Sequence, residues 1–292
     1  MKEIVVISGK GGTGKTVLTA SFAVLAKNKV MVDCDVDAAD LHLLLHPTVK
    51  KREEFRSGQT AIIDQDKCIQ CGKCLVLCRF EAVKAIKNEK GGLKKIKIDP
   101  VFCEGCGVCY HACPVDAVKM EENVCGELFI SETKHGPFVH AKLGVAEENS
   151  GKLVAKVRQA AKDIAVREDK DYVIIDGPPG IGCPVIASLS GVNTALVVTE
   201  PTLSGIHDME RVIHLASHFK TNVHLCINKF DVNLENTSGI EKYARDNGIE
   251  IAGKIPYEEK VMKSVVQAVP LPEFLDGELL KIISRLWERI KE

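Results

Sequence analysis

Apolar residues along this chain come in short continuous runs set between stretches of helical period. Ile4 to Ile7 are four consecutive apolar residues within 2–8, and such a run predicts a strand buried on both faces. A glycine-rich turn follows, then a helical stretch over 15–27 and a second strand over 30–33. The same alternation resumes after about residue 136. A helix is expected over 151–167, a strand over 172–176, a strand over 194–199 and a helix over 204–219. Strand 223–228, helix 239–247, strand 250–255 and a C-terminal helix complete the pattern. Strands alternating with helices predict an α/β domain with a mostly parallel sheet flanked by helices. Between the two parts the pattern breaks. Residues 46–59 are polar and charged, and residues 60–122 are rich in cysteine. The expected division is 1–58 and 124–292 for the α/β domain, with 59–123 inserted.

The insert repeats itself. Residues 63–84 align with 98–119 at an offset of 35, with ten of 22 positions identical, which marks a duplicated module. Each copy carries a cysteine run: Cys68, Cys71, Cys74 and Cys78, then Cys103, Cys106, Cys109 and Cys113 followed by Pro114. This C-x2-C-x2-C-x3-C spacing matches that of two-cluster bacterial ferredoxins, in which the fourth cysteine of each run serves the other cluster. The match implies a small α+β ferredoxin-like module with two 4Fe–4S clusters. One would be held by Cys68, Cys71, Cys74 and Cys113, the other by Cys103, Cys106, Cys109 and Cys78. Zinc is the alternative, although its sites generally use two separated cysteine pairs. Disulfides are the other alternative. Arg79 stands where the second run has Pro114, and a cation there is expected to raise the potential of the cluster served by Cys78.

Gly9-Lys10-Gly11-Gly12-Thr13-Gly14-Lys15-Thr16 fits the phosphate-loop pattern, between a strand and a helix as that pattern requires. Backbone N–H groups of such a loop wrap phosphate oxygens at a helix N-terminus. Lys15 is expected on the β/γ-phosphates and Thr16 on Mg²⁺. Asp176 ends the apolar strand 172–176 and is followed by Gly-Pro-Pro-Gly. A carboxylate at a strand's C-terminal end faces the phosphate loop, so Asp176 is expected to hold Mg²⁺ through water.

Lys10, a second lysine within the loop, makes the sequence resemble the MinD/ParA group of P-loop ATPases. That resemblance implies an ATP-sandwiched homodimer in which Lys10 reaches the nucleotide of the facing subunit. It implies that Asp35 positions the attacking water, and that Asp33 or Asp35 contacts the Mg²⁺ shell. Asn228 would contact adenine, and Pro256 and Tyr257 would close over the base. Asn228-Lys229-Phe230-Asp231 also spells the guanine signature of GTPases, so GTP stays open as the minor alternative.

Composition narrows the surroundings. Of 292 residues 45 % are hydrophobic and 27 % charged, with a formal net charge of −1, so bulk charge does not point to nucleic acid or an anionic membrane. With no leader-like or membrane-spanning run, a cytoplasmic protein is expected. Twelve cysteines, eight of them within 68–113, then mean metal or catalysis more than disulfides. Cys34, Cys125 and Cys226 are expected to be small buried residues; Cys183, a lone cysteine in Gly182-Cys183-Pro184 without the paired spacing of cluster-assembly ATPases, is left without an assigned role. Three roles follow: ATP-driven electron transfer to a protein redox partner, iron–sulfur or metal-cofactor assembly for a client, or a positioning and scaffold ATPase. The C-terminal helix around Leu279 to Ile290 is amphipathic and is expected to pack on the sheet rather than on a membrane.

Overall fold

The computed structural model describes residues 1–88, 93–144 and 150–292. The chain divides into two compact units, one of residues 1–53, 127–143 and 150–292, the other of residues 54–126 with the stretch from 144. The boundaries fall five residues before and three residues after those expected from composition.

In chain order the first unit begins with β1 (Lys2–Ser8), α1 (Lys15–Leu25), β2 (Lys29–Asp33) and α2 (Leu41–Leu45). Strand β3 (Thr48–Ile63) carries the chain out of that unit. The second unit holds α3 (Lys73–Leu77), β4 (Val83–Lys87), β5 (Leu93–Ile98) and α4 (Val108–His111). Strand β6 (Val118–Thr133) returns, and β7 (Gly136–Leu143), α5 (Ser150–Arg167), β8 (Tyr172–Pro179) and α6 (Cys183–Leu189) follow. The remainder is β9 (Thr194–Thr199), α7 (Leu203–His218), β10 (Asn222–Asn228), α8 (Leu234–Asp246), β11 (Glu250–Ile255), α9 (Glu259–Val266), α10 (Leu271–Phe274) and α11 (Glu278–Lys291).

Nine strands form one sheet in the order β11-β10-β9-β1-β8-β2-β7-β6-β3. The run from β11 to β7 is parallel throughout. The middles of its central strands are unbroken apolar runs, Ile4 to Ile7, Val30 to Val32, Val173 to Ile175 and Ala195 to Val198, because helices cover both faces. Ile4, Val6, Met31, Ile174, Leu196 and Val198 pack in one core with Phe22 of α1 and Leu286, Trp287 and Ile290 of α11. Trp287 sits between Phe22 and Tyr172, each ring 5.4 Å from it. The amphipathic C-terminal helix therefore buries its apolar face on the sheet.

Residues 46–59 differ from expectation. Most of them belong to β3, of whose 16 residues only Phe55 and Ala61 are buried. A strand held by its backbone ladder with both faces largely in water leaves no hydrophobic period to read. Helix α8 begins at Leu234 rather than 239, because the Asn233 side chain accepts a hydrogen bond from the Asn236 amide (3.0 Å) and caps it there.

Within the second unit β4 and β5 pair antiparallel, Val83 against Ile98 and Ala85 against Ile96. The sequence repeat is also a backbone repeat. Left-handed φ values recur at aligned positions: Gln70 (59°) and Gly105 (61°), Gly72 (74°) and Gly107 (73°), Glu81 (54°) and Asp116 (49°). Gly72 and Gly107 each precede a short helix, α3 and α4, where the left-handed turn favours glycine.

Candidate functional site

Gly9 to Thr16 join β1 to α1. Gly14 precedes the helix at φ 93°, and a Cβ there would stand 2.6 Å from Asn228 Nδ2. Conformation and space together restrict the position to glycine. Asn228, at the end of β10, donates from Nδ2 to the Thr13 carbonyl (2.8 Å), and its Oδ1 accepts from the Lys229 amide (3.0 Å). The side chain expected at a base thus braces the loop. The Thr13 hydroxyl is buried in the loop and has no hydrogen-bond partner among the described residues.

Asp33, the last residue of β2, is in register with Asp176 within β8, and the two are 0 % and 1 % exposed. Asp176 Oδ1 accepts from the Thr19 hydroxyl (3.0 Å). Burial pushes the Asp176 carboxyl up to about 6, against Lys15 and the hydroxyls of Thr16 and Thr19, which favour its charged form. Asp33 is pushed upward by burial first and by the charge of Asp176 next. Asp35 is raised by burial as well, with Lys15 opposing. Asp33, Asp35 and Asp176 thus act on one another electrostatically near the buried Lys15, although among the described residues no three such side chains converge closely enough to hold a metal ion by themselves. Asp33 differs from the others in its bonding. Its two oxygens accept from the amides of Asp35 (3.0 Å) and Leu41 (3.1 Å), which holds the 33–41 segment in place.

Lys10 is engaged by its own chain. Its Nζ donates to Thr202 Oγ1 (3.0 Å) and Ser204 Oγ (3.3 Å) and lies 3.9 Å from Glu200. Thr202 also caps α7 by accepting from the Gly205 amide (3.0 Å). Glu200, Thr202, Ser204 and Thr19 were not among the residues expected here. The signal for the first three was present, since Glu200-Pro201-Thr202 lies just past the C-terminal end of the apolar strand 194–199, where ligand sites of open sheets form. Lys229 pairs with Glu200 (2.9 Å), and Asp231 accepts from the Tyr257 amide (2.7 Å). Asp231 therefore holds the Pro256–Tyr257 segment, where the Tyr257 side chain is largely exposed.

The second unit collects the eight spaced cysteines around two hollows. Cys68, Cys71, Cys74 and Cys113 line one. Cys78, Cys103, Cys106 and Cys109 line the other. Each set joins three neighbours from one run to the last cysteine of the other. All eight thiols are free. Among the described residues no three His, Cys, Asp or Glu side chains converge closely enough for a single metal ion. The thiols surround a space instead.

Backbone amides favour charge on the outlying cysteine of each set. Burial raises Cys78 and Cys113, but the N–H groups of Phe80, Ala82 and Val83 beside Cys78, and of Val115, Ala117 and Val118 beside Cys113, leave both below the usual thiol value. These amides are aligned across the repeat. Cys74 and Cys109 are held above it, by burial first. Of the other cysteines, Cys34, Cys125 and Cys226 are buried, and burial pushes Cys226 up to about 12. Cys183 is exposed at the start of α6.

Known proteins agree with this geometry in part. The CobQ/CobB/MinD/ParA nucleotide binding domain matches residues 4–271. An uncharacterized protein of Methanocaldococcus jannaschii is 35 % identical over 99 % of this chain and 96 % of its own length. An iron-sulfur cluster carrier protein of the same archaeon is 26 % identical over 157 residues, 48 % of this chain and 53 % of that protein. Among solved structures, the septum site-determining protein MinD of Pyrococcus horikoshii, complexed with Mg-ADP, shares the fold with a TM-score of 0.60. It is 16 % identical, and the match covers 99 % of this chain and 95 % of that one. A phosphate loop on a parallel sheet, matched over nearly the whole length, settles the family: this chain belongs to the CobQ/CobB/MinD/ParA nucleotide-binding proteins.

Proposed function

We propose that the protein is an ATPase of this family whose nucleotide-driven homodimer cycle is coupled to electron transfer through two 4Fe–4S clusters. The observation that carries the proposal is the grouping of the cysteines. Three-plus-one sets drawn from two runs, each around its own hollow, are what two cubanes require and what a mononuclear zinc site does not. Cys68, Cys71, Cys74 and Cys113 would hold one cluster, and Cys103, Cys106, Cys109 and Cys78 the other. When bound, each cluster supplies a one-electron carrier. Eight free thiols suit the reducing cytoplasm.

In the first unit the chain's own groups prepare the phosphate chemistry. Lys15 neutralises the β/γ-phosphates, and the loop amides from Gly9 to Thr16 cradle them. Asp35 orients the attacking water. Thr16, Asp35 and Asp176 would hold Mg²⁺, which offsets the carboxylate charge. ATP is favoured over GTP because Asp231, the carboxylate that would read guanine N–H groups in such a signature, already accepts from the Tyr257 amide. Lys10 exchanges its bonds to Thr202 and Ser204 for the facing subunit's nucleotide as the dimer closes. The path to the thiols is covalent. The segment of Asp33 and Asp35 leads through α2 into β3, which carries Ala61 and Ile63 in the linings of the two hollows. A switch segment leading into a strand is the two-state element that the coupling would use.

Anaerobic protein should contain about eight irons and eight acid-labile sulfides per chain. Its cluster potentials should differ between the nucleotide-free, ADP–Mg and non-hydrolysable ATP states. Potentials indifferent to nucleotide would remove the equilibrium link. A second role, cluster delivery, draws on the partial likeness to the iron-sulfur cluster carrier protein. Release of iron and sulfide to an apo-ferredoxin, stimulated by ATP, would select it.

A further inference from the structure

The two halves of the repeat build two strand ribbons that differ in charge. The end of β3 lies beside β6, and β4 lies beside β5. The aligned Asp64 and Asp99 amides donate to the aligned Ala117 and Ala82 carbonyls (2.7 and 2.8 Å), so the two ribbons start alike. In β4–β5 the side chains alternate between two faces. Val83, Ile96 and Ile98 share the inner face. Val83 and Ile98 line the hollow of Cys78, Cys103, Cys106 and Cys109, and Ile96 lines the other. The outer face carries Lys84 directly opposite Lys97, and Ile86 opposite Lys95. Lys84 and Lys97 are exposed and Lys95 is half-buried. Lys87 and Lys94, both exposed, stand at the far end of the strands.

The fold does not require this charge. Continued at the same offset of 35, the other ribbon has Lys119, Glu121, Thr60 and Ile62 where β4–β5 has Lys84, Ile86, Lys95 and Lys97, and Glu122 and Gln59 where it has Lys87 and Lys94. Lys119 is also paired, 3.7 Å from Asp64. Among the described residues none of the five lysines of β4–β5 has a carboxylate partner. Lys84 lies over the Phe102 ring (5.5 Å). Of the flanking acidic residues, Asp99 accepts from the Val101 amide (3.1 Å), and neither it nor Glu81 forms an ion pair among the described residues. Arg79, over the Phe80 ring (4.8 Å), adds charge of the same sign. Glu89 and Lys90 lie outside the described residues and cancel in formal charge. Like charges directly opposite each other destabilise a strand pair, and an anionic partner relieves the repulsion.

Resting on the two-cluster reading above, we propose that the outer face of β4–β5 is the docking surface for an acidic one-electron carrier protein. Carboxylates of the carrier meet Lys84, Lys95 and Lys97, while Ile86 and the exposed Phe102 supply apolar contact. A carrier seated there is one strand layer from the residues that line both hollows. One electron leaves the carrier, which is oxidised, and enters a cluster, which is reduced, with no bond made or broken. A protein is favoured over a nucleic acid because the ribbon's other face lines the two thiol hollows and the whole chain carries a net charge of only −1. Charge complementarity of this kind governs association rate and salt dependence.

The test uses the anaerobic full chain with an acidic flavodoxin as probe. Binding is read by calorimetry and cluster reduction by stopped flow. Wild-type protein should bind the probe with an affinity that falls about tenfold from low to high salt. Lys84→Glu combined with Lys97→Glu should weaken binding by about tenfold or more and slow reduction by the flavodoxin, because like charges then face each other. Reduction by photoreduced deazariboflavin, small and uncharged, should keep its rate. Lys84→Arg with Lys97→Arg should keep binding. Lys242→Glu with Lys281→Glu, the same charge change on exposed lysines of the first unit, should leave binding nearly unchanged. Absent binding, equal weakening by the two charge-reversed pairs, or a DNA duplex that binds more tightly and displaces the flavodoxin would overturn the docking surface. Iron and sulfide content of each sample separates the failures. Two four-iron clusters without docking overturn this surface alone, whereas protein without clusters overturns the parent proposal as well.

Discussion

The two units hold themselves together by different means. In the first, Ile4 to Ile7, Val30 to Val32, Val173 to Ile175 and Ala195 to Val198 are fully buried and closed in by helices on both faces. The second buries few large apolar side chains, with Phe55, Val83, Ile96 and Val118 the main ones among the described residues. It leaves Ile69, Val76, Val101 and Phe102 more than half exposed. A module of that size with so small a core needs another source of stability, and metal ligation is the usual one. The first unit is a folded frame that brings charged groups into an apolar interior. On the proposed two-cluster reading, the second would be a set of ligands whose order depends on what it binds.

Removing the metal gives the sharpest contrast. Chelation of the anaerobic protein should abolish hydrogen-exchange protection through α3, β4, β5 and α4 while β1, β8 and β9 keep theirs. Persistent protection in the second unit would end the comparison. The next effect belongs to the other unit alone. Lys15→Ala should lower ATP hydrolysis by about 10²-fold or more at unchanged iron content, since a charge that stabilises the transferring phosphoryl group is lost. Cys113→Ser should then remove about half of the iron and spare the site of Cys103, Cys106 and Cys109. Iron loss assigned to that site instead would reverse the crossed pairing.

The smallest effect sharpens the electrostatic half of the comparison. With its folded pKa raised to about 6, Asp176 binds a proton more readily folded than unfolded. Its charged form therefore destabilises the nucleotide-free protein above that pH, and the penalty fades as pH falls through 6 toward the unfolded value. Asp176→Asn should stabilise that state at pH 8 by at most about 3 kcal/mol, an amount inferred from linkage. The gain should shrink below pH 6 in denaturant titrations. Mg–nucleotide affinity of the wild type should weaken over the same interval, because a protonated carboxyl is a poor cation ligand.

Much of this was legible in residue order because the determining features are local. The phosphate loop, the buried strands and the cysteine spacing each lie within one turn or one run of chain. Helix α11 could be read as sheet-packing from its apolar stripe, and Trp287 and Ile290 are buried as that stripe requires. What escaped were features without a periodic signature. Strand β3 is polar on both faces, and α6 is only seven residues long.

The sequence by itself determined the loop chemistry, the crossed grouping of the cysteines and the duplication, since spacing along a chain controls what a single turn can wrap. Only the tertiary structure decided what each charge meets. It placed Lys10 on Thr202 and Ser204, gave Asp33 to the amides of Asp35 and Leu41, and set Lys229 against Glu200. It also turned Arg79 onto Phe80. The physical reason is range. A charge acts through the few ångströms around it, and in the first unit sheet order brings together residues that lie nearly 200 positions apart in the chain.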